Sequence, residues 1–140
     1  MLNSIQWLTE DVEMPQIDTA VCRDWLINVA HDHGRIVGEL TYIFCNDDKI
    51  IEVNRQFLNH DYYTDIITFD NSRGRLISGD MFISLDTVRT NAEGIGADYL
   101  TELHRVIVHG VLHLCGINDK GPGEREIMEA NEDRALAMLS

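Results

Sequence analysis

The stretch HGVLHLCGINDK, residues 109–120, contains the pattern on which the interpretation of this chain depends. It completes a helix that is predicted to begin near Asp98, with apolar residues recurring at helical spacing. His109 comes two residues after Ile107 of the apolar stripe, a rotation of about 200°, so it projects from the side opposite the core. His113 follows one turn later on the same line. Two imidazoles at i and i+4 have the separation that binds one metal ion.

A glycine and an aspartate extend this pattern beyond the helix. Gly116 can adopt the left-handed conformation that ends a helix, and the returning chain would bring Asp119 toward both histidines. The spacing H-x-x-x-H-x-x-G-x-x-D matches the metal-binding helix and turn of metzincin-like sites. Gly110 replaces the glutamate of H-E-x-x-H, so the water-activating base of a zinc protease is missing. We predict a divalent metal bound by His109, His113 and Asp119; the alternative is two solvated histidines followed by an ordinary glycine cap.

The whole chain, residues 1–140, is predicted to form a single α+β domain. Its element order is β-α-β-α-β-β-α-α, which indicates a small mixed β-sheet of about four strands carrying helices, one of them the metal-binding helix with its turn. The predicted strands are 4–8, 39–45, 64–70 and 79–84. The predicted helices follow Asp18 and Asn46, run from Asp98 to about Leu114, and fill most of 121–139.

The composition limits the classes of function. The formal charge of −13 argues against a protein that grips nucleic acid mainly through counterion release, because a negative field repels phosphate. A nucleic-acid partner would need a local positive site, and a bound divalent cation could form part of one. The alternative, that the acidic charge only keeps a small protein in solution, is the simpler explanation of the charge itself.

The cysteines and the apolar segments predict the cellular compartment. Cys22, Cys45 and Cys115 are odd in number, share no C-x-x-C spacing and lie in apolar segments, so we expect reduced, buried thiols. No segment approaches the roughly 18 apolar residues of a membrane span, and the N-terminus has no secretory pattern. We expect a soluble, cytoplasmic protein without a membrane partner.

Three blocks of the sequence resemble the YbeY-type endoribonucleases of bacterial ribosomal RNA maturation. HGVLHLCGIND resembles their hallmark H-G-x-L-H-L-x-G-[aromatic]-D-H and matches it from His109 through Gly116. VNRQFLNHDYYTDIITFD, residues 53–70, is similar to L-N-x-x-Y-R-x-K-D-x-P-T-D-V-L-S-F, and SGDMFIS, residues 78–84, is similar to G-D-I-x-I-S. The resemblance spans roughly residues 39–139, in the expected order.

The resemblance implies a metal-dependent, single-strand-specific endoribonuclease. It would act in 3′-end maturation of small-subunit (16S) rRNA and in ribosome quality control, with rRNA, the small ribosomal subunit and ribosome-associated proteins as partners. The family binds one Zn²⁺ through three histidines, which by position correspond to His109, His113 and Asp119. The carboxylate lowers the net charge of the centre, so the metal would be a weaker Lewis acid, and iron or manganese would also suit the ligand set.

The catalytic residues follow less directly from the resemblance. The family's arginine aligns with Leu58, and Arg55, one helical turn earlier, could place a guanidinium in a similar volume. Candidates for the general base are His60, Asp65 and Asp80, by block position only. The alternative for the two aspartates is a structural one, as strand-end carboxylates that accept hydrogen bonds from backbone N–H groups.

Two other functions remain open from the sequence. A metallopeptidase would use a similar helix, but Gly110 and the upstream blocks argue against it. A non-catalytic ribosome-assembly factor with a structural metal is favoured by Leu58 and by the acidic composition.

Overall fold

In the computed structural model, which describes residues 2–58 and 64–139, four strands and five helices follow one another along the chain. They are β1 (Ser4–Thr9), α1 (Thr19–Asp32), β2 (Ile36–Cys45), α2 (Asp47–Phe57), β3 (Ile66–Asp70), β4 (Leu76–Ser84), α3 (Leu85–Ile95), α4 (Tyr99–Leu114) and α5 (Glu124–Ala137). The predicted α+β class with a four-stranded mixed sheet is confirmed.

The sheet has the strand order β1-β2-β4-β3. Strands β1, β2 and β4 are parallel, whereas β3 pairs antiparallel with β4 through a hairpin in which Ile66 lies opposite Ile83 and Asp70 opposite Gly79. The connection between β3 and β4 is therefore a hairpin.

The two faces of the sheet carry different helices, because alternate residues of a strand point to opposite sides. Tyr42 of β2 and Met81 of β4 are fully buried in the larger core, together with residues of α1, α4 and α5. Phe82 points to the other face and packs with Ile50 and Val53 of α2. The candidate histidines therefore lie on the α4 side, and α2 lies on the opposite side.

Helix α3 was absent from the predicted element order, and that omission is wrong. Its sequence LDTVRTNAEGI includes threonines, an asparagine and a glycine, which favour helix weakly. The Ser84 side chain caps the helix by accepting a hydrogen bond from the Thr87 N–H (3.3 Å), and Val88 and Ala92 are buried. Tertiary packing and the cap form this helix despite its low propensity.

Smaller differences concern element boundaries and one side chain. Strands β2 and β4 begin at Ile36 and Leu76, three residues earlier than predicted in each case. In the last helix the apolar residue Ile127 is 57% exposed. The buried face of α5 instead includes a carboxylate, Glu132, beside Met128 and Ala135.

Cys22, Cys45 and Cys115 are free and buried, as predicted from their apolar surroundings. None of the helices in the described ranges has the length and apolar character needed to cross a membrane.

Candidate metal centre and cleft

Helix α4 carries both candidate histidines and is fixed at several points. Asp98 caps its first turn by accepting a hydrogen bond from the Thr101 N–H (3.1 Å). Tyr42 of β2 donates its hydroxyl to the Ile107 carbonyl (2.6 Å). Two residues further on, the His109 side chain is 22% exposed. The imidazole therefore projects from a largely buried helix that is held by a cap and a hydrogen bond to β2.

Gly110 allows α4 to pack closely on the sheet. A Cβ atom at this position would lie 2.5 Å from Met81 Sδ and 3.2 Å from Ile66 Cδ1, which leaves no room for a side chain. Position 110 therefore faces β3 and β4. A glutamate there would have to displace the side chains of Met81 and Ile66, so the glycine in this motif has a packing reason.

The end of α4 has the predicted left-handed glycine. Gly116 has φ 94°, the Ile117 N–H donates to the Leu112 carbonyl (3.1 Å), and the Gly116 N–H donates to the His113 carbonyl (3.0 Å). These two bonds form a Schellman motif, which satisfies helix carbonyls and reverses the chain. Arg35 also donates to the carbonyl of the capping residue, Cys115 (3.0 Å).

The reversal brings Asp119 to His109. Asp119 Oδ2 lies 3.5 Å from His109 Nε2, and the Asp119 side chain is 31% exposed. Two ligands at about 2.0–2.1 Å from one tetrahedral zinc ion would be about 3.3 Å apart. The two donor atoms therefore have nearly the separation that a shared metal ion requires.

The third predicted ligand, His113, is half-buried one turn along the same helix. In the ranges 2–58 and 64–139, no three His, Cys, Asp or Glu side chains form a group that could hold a metal ion. The described arrangement thus fits a metal at two donors, and the contribution of His113 remains a prediction from its spacing.

A carboxylate that the sequence reasoning missed binds the other nitrogen of His109. Glu132 Oε2 of α5 lies 2.8 Å from His109 Nδ1, and the Glu132 side chain is only 8% exposed. Arg105 donates to Glu132 Oε1 (2.9 Å) and to Asp133 Oδ1 (2.6 Å). An arginine, a carboxylate and the imidazole therefore form a chain of polar contacts that ends at Asp119.

This environment sets the protonation of His109. Burial alone would lower the pKa of the imidazole. The hydrogen bond and charge of Glu132, with the charges of Asp119 and Asp65, outweigh burial and raise the pKa above the ordinary value of 6.5. His109 is thus surrounded by negative charge, an environment that also favours a bound cation.

His109, Asp119 and Glu132 line a cleft of about 950 Å³ between α3, α4 and α5. Its carboxylates are Asp65, Glu102, Asp119, Glu129, Glu132 and Asp133, and its guanidinium groups are Arg105 and Arg125. Negative charge therefore predominates around His109.

Among the predicted bases, the structure brings Asp65 to this cleft. Burial raises the pKa of its carboxyl, while the charge of His109 and a hydrogen bond from the backbone of Ile66 act in the opposite direction; the net shift is upward. Asp65 therefore lines the cleft near His109 and also accepts a backbone hydrogen bond.

The structure does not bring the other catalytic candidates to the cleft. Asp80 is exposed on β4 opposite Phe69, on the α2 side of the sheet. Arg55 is exposed on α2 and lines a separate shallow depression with other residues of that helix. His60 lies outside the described residues.

A weak sequence signal existed for Arg105, but none existed for Glu132. Arg105 precedes His109 by four residues, so the two side chains share one face of α4. Glu132 is 23 residues from His109 and lies in a helix rich in charged residues, where one buried carboxylate does not stand out. Only the packing of α5 on α4 identifies it.

Comparison with known proteins gives concordant matches. The sequence model of the family described as Endoribonuclease YbeY matches residues 5–140. Proteins named Endoribonuclease YbeY from Bacteroides thetaiotaomicron and Parabacteroides distasonis are 64% and 62% identical, over 96% and 97% of this chain and 98% and 96% of their own lengths. The protein of that name from Porphyromonas gingivalis is 47% identical over 96% of this chain and 89% of its own length.

A solved structure shares the fold. The solution structure of TM1509 from Thermotoga maritima superimposes with a TM-score of 0.66 over 96% of this chain and 88% of its own. Because the two sequences are 23% identical, the likeness concerns the fold alone.

Proposed function

The chain belongs to the YbeY family of endoribonucleases, and we propose that it cleaves single-stranded RNA with the help of a divalent metal ion, zinc in the first place. The observation that carries the metal dependence is the approach of Asp119 Oδ2 to within 3.5 Å of His109 Nε2 in a cleft. A helix and a glycine turn produce this approach.

The proposed ligands are His109 Nε2, Asp119 Oδ2 and, from its spacing, His113. Two imidazoles and one carboxylate are a normal ligand set for catalytic zinc, and they also suit iron or manganese. When bound, the ion would supply Lewis-acid polarisation of a phosphate oxygen.

Asp65 is the proton acceptor that the structure favours. It lines the cleft with His109, and burial raises the pKa of its carboxyl, which brings the group closer to the pH at which a general base works. Its carboxylate would take the proton from the attacking hydroxyl, whether that hydroxyl belongs to water or to the ribose. Asp80 is on the other side of the sheet, so it serves as a matched control.

The two arginines of the cleft differ in their freedom to meet RNA. Arg105 bonds to Glu132 and Asp133 and is 30% exposed. Arg125 is 80% exposed and bonds to Glu129. A phosphate entering this acidic cleft would therefore meet Arg125 more readily, and a bound cation would offset the surrounding carboxylates.

We further propose that the substrate is small-subunit ribosomal RNA near the 3′ end of 16S rRNA, and that cleavage serves maturation and quality control of ribosomes. The family membership supports this assignment. With a net charge of −13, the chain is poorly suited to bind long RNA by charge alone. Recruitment to the small subunit by a ribosome-associated protein would overcome that repulsion.

The test uses protein stripped of metal by a chelator and then reloaded with zinc. The substrates are a single-stranded RNA with the 16S 3′-end sequence, the same RNA in a duplex, and a peptide. We expect zinc-restored cleavage of the single strand alone, its loss in Asp65→Asn, and its retention in Asp80→Asn. Cleavage of the peptide, or no cleavage of any RNA, would contradict the proposal.

One observation favours a second candidate, a non-catalytic assembly factor with a structural metal. Leu58 aligns with the family's arginine. Among the described residues that line the cleft, Arg55 is absent. Copurification with small-subunit particles, without metal-dependent RNA cleavage, would support this function.

A further inference from the structure

We propose that Glu132 is a positioning residue that holds the His109 ring in one tautomer, with Nδ1 protonated and Nε2, on the Asp119 side, free to bind a metal ion, and that Arg105 holds Glu132 in place. The inference rests on the proposed metal centre and adds residues that neither the motif nor the family comparison identified.

The hydrogen bond between Glu132 and His109 has a defined direction. An ionised carboxylate can only accept, so the 2.8 Å contact between His109 Nδ1 and Glu132 Oε2 requires a proton on Nδ1. In the neutral imidazole the second nitrogen then has a free lone pair. That nitrogen, Nε2, is the one that lies 3.5 Å from Asp119 Oδ2.

Burial and Arg105 hold the Glu132 side chain in place. Its side chain is 8% exposed, and Arg105 donates to its second oxygen at 2.9 Å. Because Arg105 and His109 are neighbours at i and i+4 on α4, they present two donors to the two oxygens of one carboxylate from α5. Asp133 contacts the other terminal nitrogen of Arg105 at 2.6 Å. The carboxylate has little freedom to rotate away from the ring.

The contact between Glu132 and His109 would affect how tightly His109 binds a metal ion. Histidine ligands whose second ring nitrogen donates to a carboxylate are held in the required orientation and are more basic, and loss of such a partner typically costs about 10–100-fold in metal affinity. Glu132 should therefore affect zinc binding without contacting the metal.

The test measures both the tautomer and the metal affinity of the full chain. The ¹⁵N chemical shifts of the His109 ring, recorded without metal in alkaline buffer, report which nitrogen carries the proton, and zinc affinity is measured by competition with a chelator. The variants are Glu132→Ala, Glu132→Gln, whose amide oxygen can still accept from Nδ1, and the control Glu129→Gln. Glu129 lines the same cleft but bonds to Arg125.

We expect Glu132→Ala to lose the Nδ1–H tautomer and to bind zinc about 10–100-fold more weakly. Glu132→Gln should keep the tautomer and most of the affinity, and Glu129→Gln should change neither. If Glu132→Ala does not fold, the double variant Arg105→Met/Glu132→Leu removes both polar partners at similar volume, and it should show the same change of tautomer and the same loss of affinity.

Three results would overturn the proposal: an unchanged tautomer with unchanged affinity, a loss of affinity without a change of tautomer, or a change of tautomer without a loss of affinity. The second result would mean that Glu132 acts through its charge alone. Failure of the proposed function can be distinguished from failure of the proposed role of Glu132. If the parent protein binds zinc but cleaves no RNA, both readouts still apply, and if it binds no zinc, the tautomer alone decides whether Glu132 orients His109.

Discussion

Nε2 of His109 lies 3.5 Å from Oδ2 of Asp119, across a turn that Gly116 closes with a φ of 94°. This short distance means that an aspartate at position 119 can occupy the place of a ligand. The relationship makes Asp119 the most informative residue to vary.

Asp119→Ala should lower zinc affinity by at least about 10–100-fold, the loss that is typical when a residue that only hydrogen-bonds to a metal ligand is removed. Asp119→His should retain zinc. The neighbouring variant Asn118→Ala is the control, because Asn118 is exposed. Chelator competition measures the three affinities. If Asp119→Ala binds zinc as the parent protein does, Asp119 is not a ligand.

His113→Ala should abolish zinc loading and RNA cleavage together, because it removes one of only three proposed protein ligands. The control is His31→Ala, in which an exposed histidine at the end of α1 is removed. Metal content by elemental analysis and cleavage of a single-stranded RNA provide the two readouts. An unchanged metal content in His113→Ala would exclude His113 from the site.

Gly110→Ala should destabilise the protein by about 1–3 kcal/mol, because the added Cβ would lie 2.5 Å from Met81 Sδ. Gly94→Ala in α3 is the matched control. No atom lies within 4 Å of a Cβ added there, so this variant should gain about 0.4–1 kcal/mol. Urea unfolding of both variants measures the difference. Equal stability of the two would show that α4 does not pack closely on the sheet.

Much of this site was predictable from the sequence, and the reasons for the failures are physical. Asp98, the i and i+4 histidines and Gly116 are local signals, and local signals fix α4 and its turn. Glu132 depends on the packing of α5 against α4, which no local pattern encodes.

The sequence does not distinguish the two candidate aspartates beside β3 and β4. Asp65 and Asp80 are equivalent as candidates in the sequence, but Asp65 precedes β3 and lines the cleft, whereas the alternation of β4 directs Asp80 to the α2 side. Helix α3 was missed because its own residues favour a helix weakly, while its cap and its buried face do not show in propensity.

The metal-free protein should lose stability as the pH rises. Burial raises the pKa of Asp65 and of Glu102, and Glu132, Asp119 and Asp65 raise that of His109, against its burial. The folded state therefore binds more protons than the unfolded state. The stabilising contribution of each group is complete below its ordinary pKa (3.8, 4.5 and 6.5) and is lost as the pH rises through its raised value.

Thermal unfolding in the presence of a chelator, measured across this pH range, tests the prediction. Asp65→Asn should stabilise the metal-free protein at neutral pH, since it removes a partly buried charge, and Asp80→Asn, at an exposed position, is the control. A stability that rises with pH between 4.5 and 7 would contradict the assignment of these raised pKa values.

The three cysteines should be unreactive in the folded protein. Burial raises the pKa of Cys22 and Cys115 to about 11 and that of Cys45 to about 12, so at pH 8 no more than about a thousandth of each thiol is thiolate. A thiol reagent should modify all three only after denaturation. Fast modification of one thiol in the native protein would show that its helix or strand opens.

The measurement that tests the catalytic metal centre most directly is a crystal structure of the zinc-loaded protein with its coordination resolved. We expect one zinc ion with three protein ligands, His109, His113 and Asp119, and an open position for water, with Glu132 still bonded to His109 Nδ1. A zinc ion held by four protein ligands would contradict a catalytic metal centre, because a closed site is structural. A zinc ion bound elsewhere would contradict the assignment of the ligands.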